Sequence, residues 1–159
     1  MLNMERQMET SALSVRQAHR LLQFGLVLFL LALLVGLVVP RFAVPRLGLS
    51  VHLLGILQGI FLVAIGLLWP KLTLSRVTSR VAFWSSIYGC YSAWTANILA
   101  AIWGAGNALL PLAAGQARGS LVQERIIAFG LRSAAASLVA TLILLLWGLR
   151  VLTSDPSNK

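Results

Sequence analysis

The chain has 159 residues, 58% of them hydrophobic and 11% charged, where a soluble domain is about a quarter charged; with a mean hydropathy of +0.87, this composition excludes a water-soluble globule and predicts an integral membrane protein. The length admits one helical bundle with short tails and no second domain, and the single cysteine, Cys90, excludes an internal disulfide or a multi-cysteine metal site. The net charge of +9 is not a nucleic-acid signature, because the basic residues stand at the ends of apolar runs, where they set topology and meet anionic lipid head groups.

Residues 1–20 form a polar, mixed-charge tail whose Arg16–Arg20 segment begins the first helix at the membrane surface. A first apolar run covers about 21–39 and stops at Pro40; it is too long for the core of a signal peptide, and no small-residue cleavage site follows it. A second run covers about 50–69 and ends at Trp69-Pro70, a third covers about 81–103, and a fourth about 126–149. Each has the ~20 residues that cross a hydrocarbon core, which predicts an all-α, four-helix transmembrane bundle over residues 21–150. Residues 104–124 are rich in glycine and alanine and have room for a re-entrant or lid-like segment; residues 151–159 are a polar tail. No internal repeat is evident.

Positive charge gives the orientation. With four spans, the N-terminal tail, the 70–80 loop and the C-terminal tail share one side and carry eight basic residues, Arg6, Arg16, Arg20, Lys71, Arg76, Arg80, Arg150 and Lys159. The other side carries four, Arg41, Arg46, Arg118 and Arg125, so both termini are expected in the cytoplasm. Trp69, Trp84, Trp103 and Trp147 stand near the ends of spans, as an aromatic belt does.

The few polar residues inside the apolar runs are the candidates for function, since such groups are costly in lipid. His52 and Gln58 lie in the second run, Asn97 in the third and Arg132 in the fourth. Counted from the span ends, all four fall in the outer half of the bilayer, within roughly 10 Å of one another in depth. Three helices thus offer polar groups at one level, which predicts a buried polar site.

His52, Gly55, Gly59 and Gly66 form one narrow stripe at helical spacing. A histidine above a glycine groove suits a flat cofactor such as haem, and small residues at this spacing equally let membrane helices pack closely. In the third run Tyr88, Tyr91, Ser92 and Thr95 follow one face, while Asn97 projects from another near Trp94, which predicts a central helix. Arg132 is the one charge deep in an apolar run; Glu124, two turns along the same helix, is its nearest acidic candidate. His19 lies at the opposite membrane face from His52, so two histidines cannot hold one haem within a subunit. With four acidic residues and no hydrolytic triad, phosphate loop or zinc spacing, carboxylate-based chemistry has almost nothing to use.

Several segments resemble the hydroxylaminobenzene mutase family: GLVLFLLALLVGLVVP (25–40), GLSVHLLGILQGIFLVAIGLLWPKLTLS (48–75), FWSSIYG (83–89), NILAAIWGAGNALLPLAAG (97–115) and LWGLR (146–150). The resemblance implies a bacterial inner-membrane isomerase that converts hydroxylaminobenzene to 2-aminophenol in nitroarene degradation. The chain is more distantly similar to styrene oxide isomerase, a small four-helix membrane enzyme that binds haem b through a histidine of its second helix. His52, Gln58 and Gly59 match that histidine motif, with glutamine in place of asparagine, and Asn97 falls near a third-helix tyrosine of the isomerase. The resemblance thus implies haem b on His52, beside the Gly55–Gly59 stripe. N–O cleavage needs the departing oxygen stabilised, by such a haem as a Lewis acid or by Arg132 electrostatically, with Asn97 and Gln58 orienting the NH–OH group. Tyr88, Tyr91 and Trp94 would line an aromatic pocket. A homo-oligomer, trimeric by analogy, is also implied. Two other readings fit the residues: a non-catalytic membrane haem protein, and a four-helix assembly protein whose polar residues only join helices.

Overall fold

The computed structural model describes residues 2–150, with side chains from residue 13 to residue 149. The polar 151–159 tail lies outside the described residues. Four long helices and one short one make an all-α fold: α1 (Leu2–Val38), α2 (Pro45–Leu68), α3 (Arg76–Trp103), α4 (Pro111–Ala114) and α5 (Leu121–Arg150). Each apolar run falls within one long helix or its terminal turn, and every helix begins before its run does. The polar N-terminal segment is helical because nothing between Leu2 and Arg20 is glycine or proline, so α1 continues through it.

The helix ends are written in local chemistry. Pro40 and Pro70 sit in single 3₁₀ turns, Val39–Arg41 and Trp69–Lys71, and Pro45 opens α2, where a missing N–H costs nothing. Ser75 caps α3, its Oγ accepting from the Thr78 N–H at 3.2 Å. Gly104 ends α3 at φ 60°, a left-handed conformation that glycine adopts without penalty. Ser120 and Gln123 exchange side-chain and backbone bonds at 2.8 and 3.3 Å, a capping box that starts α5.

The long helices pack antiparallel in chain order. Gly25 of α1 meets Gly59 of α2 so closely that a methyl group on Gly59 would lie 2.9 Å from the Gly25 carbonyl oxygen. Trp69 at the end of α2 and Phe83 near the start of α3 stack edge to face with centroids 6.3 Å apart. Gly89 of α3 lies against Leu138 and Ala134 of α5, and Ser85 and Thr141 share a 2.8 Å hydroxyl bond across the same seam. The start of α1, the 72–75 loop and the end of α5 therefore share one end; there the Thr73 N–H donates to the Gly148 carbonyl at 3.1 Å.

Among the described residues, three helical segments are long and apolar enough to cross a membrane: Leu13–Arg41, Pro45–Lys71 and Leu121–Leu149. This makes the chain a multi-pass membrane protein. α3 is of similar length but is more polar, and it is the central helix. Tyr91 of α3 donates to the Phe24 carbonyl of α1 at 2.9 Å, so α1, α2 and α3 form a triangle, and α5 packs on the far side of α3. Among the described residues, α5 makes at most slight contact with α1 and α2. The arrangement is an open row rather than a closed square, and this decides which polar residues can meet.

Candidate functional site

The four polar residues do not all converge: Gln58 and Asn97 share a seam, and His52 and Arg132 lie elsewhere. Arg132 is exposed and lies about 200° around α5 from buried Ala134, on the face turned away from α3. Depth was legible from its position along the chain, but azimuth is set by the stripe that packs: Ile127, Ala134, Thr141 and Leu145. Glu124 does not reach towards Arg132 either. Its carboxylate accepts backbone N–H groups from Gly106 (2.8 Å), Gly119 (3.2 Å), Asn107 (3.3 Å) and Ala108 (3.4 Å), pinning the 104–120 connection to the start of α5. That connection holds the short helix α4, which rests on α2.

His52 faces α1. Its Nδ1–H donates to the Ala32 carbonyl at 2.8 Å, and its ring occupies the space beside Gly36, where a methyl group would fall 2.6 Å from Nδ1. Gly36 was not singled out from the sequence; its signal is only its place one turn beyond Ala32. With Nδ1 protonated, Nε2 carries the lone pair. A ring whose other nitrogen donates to a backbone carbonyl is in the tautomer and the fixed orientation of a metal ligand. His52 therefore fits the axial-ligand role expected for haem. The glycine groove does not fit the cradle role. A methyl group on Gly55 would lie 2.5 Å from Trp94 Nε1 and 2.6 Å from Ala32 Cβ, and one on Gly59 would lie 2.9 Å from Phe29 Cβ. The groove is filled by α1 and Trp94, so Gly55 and Gly59 are packing residues. Among the described residues, no three His, Cys, Asp or Glu side chains gather as a metal site. His19 is exposed on α1, nearer the end shared by the termini.

The second seam, between α2 and α3, holds the unspent polar groups. Gln58, Trp94 and Asn97 are 6%, 9% and 3% exposed, and Gln58 Oε1, Trp94 Nε1 and Asn97 Oδ1 have no hydrogen-bond partner. Buried polar atoms are nearly always paired, so three orphans in one seam call for an explanation. Helical register places them together. Tyr91 and Asn97 flank Trp94 by three residues, about 60° to either side. Tyr91 bonds α1, so Asn97 faces away from α1. His52 and Gln58 flank Gly55 in the same way; His52 bonds α1, so Gln58 also faces away from it. Gly55 contacts Trp94 directly, which puts Gln58 and Asn97 on one side of the seam, about 9 Å apart along its length at 1.5 Å per residue. Asn97 spends its amide on its own helix, Nδ2 donating to the Ala93 carbonyl at 3.0 Å, and keeps its oxygen free. The seam thus presents one N–H donor between two carbonyl acceptors in an apolar wall. Trp94 was read from the sequence as pocket lining; that it carries an unpaired donor was not visible there.

Tyr88 and Tyr91 stand elsewhere. With Ser92, Thr95 and Phe129 they line an open groove of about 380 Å³ between α3 and α5. The Tyr88 hydroxyl donates to Ser133 Oγ at 2.9 Å, and Ser92 Oγ donates to the Gly130 carbonyl at 3.2 Å. The hydroxyl stripe of α3 is therefore largely spent on joining helices, each bond worth about 1 kcal/mol or less.

The profile of the styrene oxide isomerase family matches residues 17–150. The chain is 48% identical to hydroxylaminobenzene mutase HabB of Ectopseudomonas oleovorans over 142 residues, covering 89% of this chain and 85% of that protein. It is 46% identical to hydroxylaminobenzene mutase HabA of the same organism over 125 residues, covering 79% of this chain and 93% of that protein. No solved structure matches. The chain is therefore a member of the styrene oxide isomerase family and a homologue of the hydroxylaminobenzene mutases, which are isomerases.

Proposed function

We propose that this protein is a hydroxylaminobenzene mutase that converts hydroxylaminobenzene to 2-aminophenol within the membrane. The observation that carries the reading is identity of 46–48% to two mutases across most of the described helices. The reaction is an isomerisation: the N–O bond breaks, a C–O bond forms at the ortho carbon, the ortho proton leaves and a proton returns to nitrogen. No oxidant or reductant is needed.

The seam between α2 and α3 supports this chemistry. Trp94 Nε1–H is an unpaired donor that can stabilise charge developing on the departing oxygen, and in a dry site such a donor acts more strongly than in water. Of the two free acceptors, Gln58 Oε1 and Asn97 Oδ1, one takes the single N–H of the substrate and the other its O–H, which holds the NH–OH group in register with the ring. Water would capture the developing ring cation at the para carbon. The apolar wall excludes it and keeps the oxygen beside the ortho position, where proximity favours internal return. The seam is closed around these groups, so substrate binding goes with a local parting of α2 and α3. An apolar substrate reaches the seam from the bilayer.

His52 belongs to the same proposal as the residue that would hold haem b, through Nε2. When bound, haem iron would supply Lewis acidity; on the α1 side of α2 it would be an alternative to the Gln58–Asn97 seam rather than part of it. Around it, α3 crosses the bilayer as the fourth span, both termini face the cytoplasm of a bacterial inner membrane, and the open row closes by homo-oligomerisation, as a trimer by analogy.

The test is turnover by detergent-purified protein, with wild type beside Asn97→Ala and Gln58→Ala. The expected result is 2-aminophenol from wild type and a large loss of kcat in both variants at unchanged thermal stability. Absence of turnover by folded wild-type protein overturns the activity; full activity in both variants overturns the seam as its site. An absorption spectrum of wild type and His52→Ala from haem-replete cells tests the haem part alone: a Soret band lost in the variant supports it, and no band in active wild type removes it.

A further inference from the structure

At the end where α3 starts and α5 ends, a cavity of about 500 Å³ opens between residues 13–20 of α1 and the start of α3. Four arginines line it, Arg16 and Arg20 from α1 and Arg76 and Arg80 from α3. Each pair is spaced i, i+4 and so projects from one face of its helix. All four are exposed, and among residues with described side chains the one carboxylate, Glu124, is at the opposite end of the molecule. No described residue bonds Arg16, Arg20 or Arg80.

The floor beneath the arginines is fixed. Gln17 Oε1 accepts from Ser79 Oγ at 2.7 Å and from Trp69 Nε1 at 3.3 Å, tying α1 to the start of α3 and the end of α2. Buried Phe83 packs edge to face on Trp69 and on Trp84, whose rings lie 6.3 and 5.2 Å away. The wall is apolar and faces outward: Trp84 is 56% exposed and Leu13 is 44% exposed. The cavity also lies at the edge of the membrane-crossing segments, which begin or end at Leu13, Lys71 and Leu149. A ligand here meets guanidinium groups on the aqueous side and indole and leucine on the lipid side.

We infer that this cavity binds the phosphate head group of an anionic membrane phospholipid, with its acyl chains running along Leu13 and Trp84. Guanidinium groups suit phosphate because their paired N–H groups match its oxygens, and Arg16 and Arg20 of α1 facing Arg80 of α3 supply both sides of that clamp. A scattered basic rim would serve topology equally well without a cavity; the tied floor and the concentration of charge around one opening are what make a site. The lipid is bound apart from the seam between α2 and α3, so this inference stands whether or not that seam is where chemistry occurs.

The experiment measures thermal stability of the full-length protein in detergent as phosphatidylglycerol, phosphatidylcholine or inorganic phosphate is added. It compares wild type, Arg16→Gln/Arg80→Gln, and Arg41→Gln/Arg46→Gln at the opposite end. Phosphatidylglycerol should raise the melting temperature of wild type and of the Arg41/Arg46 variant. The Arg16/Arg80 variant, with the same melting temperature in lipid-free detergent, should need about thirtyfold more lipid for the same shift. Phosphatidylcholine and inorganic phosphate should have little effect. Equal responses in the two double variants, or an equal response to phosphatidylcholine, would overturn the site. The same shift from inorganic phosphate alone would overturn the lipid assignment in favour of a soluble anion.

Discussion

Gly55→Ala tests whether the seam that carries Trp94 is the working part of the molecule. A methyl group at this position lands 2.5 Å from Trp94 Nε1, 2.8 Å from Trp94 Cδ1 and 2.6 Å from Ala32 Cβ. Comfortable carbon contacts begin near about 3.5 Å, so both the indole and α1 must yield by about 1 Å. Ala32 Cβ is fixed to the α1 backbone, so relief on that side moves α1 itself, while the indole can turn. Overpacking of this kind costs about 1–3 kcal/mol, while alanine regains about 1 kcal/mol in helix propensity. The net loss is at most about 2 kcal/mol, or a fall of up to about 8 °C in melting temperature. Activity is more sensitive, because displacing a group by about 1 Å at a reacting centre can cost about a hundredfold. The assay is conversion of hydroxylaminobenzene to 2-aminophenol by purified protein, with thermal unfolding in parallel. Gly66→Ala is the control. It lies on the same stripe, 3.1 Å from the Ala18 carbonyl oxygen and the Leu22 side chain, but far from Trp94. It should lower stability slightly and leave kcat near wild type. If Gly55→Ala retains full kcat, or if Gly66→Ala loses as much, the reasoning fails.

Three further outcomes follow from the geometry. Trp94→Phe keeps a ring in the seam and removes an unpaired N–H, so stability should hold or rise while kcat falls by about a hundredfold; unchanged kcat would remove Trp94 from the chemistry. Arg132→Gln should lower kcat much less than Asn97→Ala, because Arg132 is exposed on the face of α5 away from α3, and a comparable loss would mean that α5 reaches the site. Glu124→Gln removes the charge that gathers four backbone N–H groups, so cleavage by trypsin at exposed Arg118 should speed up several-fold relative to the capped connection; an unchanged cleavage rate would show that the carboxylate does not hold the 104–120 connection.

Much of the fold was legible in the sequence because apolar length and proline placement fix where membrane helices start and stop. Pro40, Pro45, Pro70 and Gly104 mark four of those boundaries. The central position of α3 was also legible, since a helix with polar groups on two sides has to be enclosed. The site was only partly legible. Residue number gives depth in a membrane helix, but which way a side chain points depends on which stripe packs. On α5 that stripe is made of small and apolar residues, and it turns Arg132 outward. On α2 the glycine stripe packs α1, which sends His52 to Ala32 and Gln58 towards α3. The convergence of three helices assumed a closed bundle; the open row breaks it into a histidine seam, an amide and indole seam, and a tyrosine groove. Orphaned atoms are a property of neighbours, and no pattern of residue types announces them.

The most direct measurement is turnover of hydroxylaminobenzene by the purified protein in ¹⁸O-water, with the product resolved by mass spectrometry. The account predicts 2-aminophenol carrying no solvent oxygen, because the hydroxyl group passes from nitrogen to the ortho carbon inside a water-excluding seam. A 4-aminophenol product, or 2-aminophenol labelled from solvent, would contradict it.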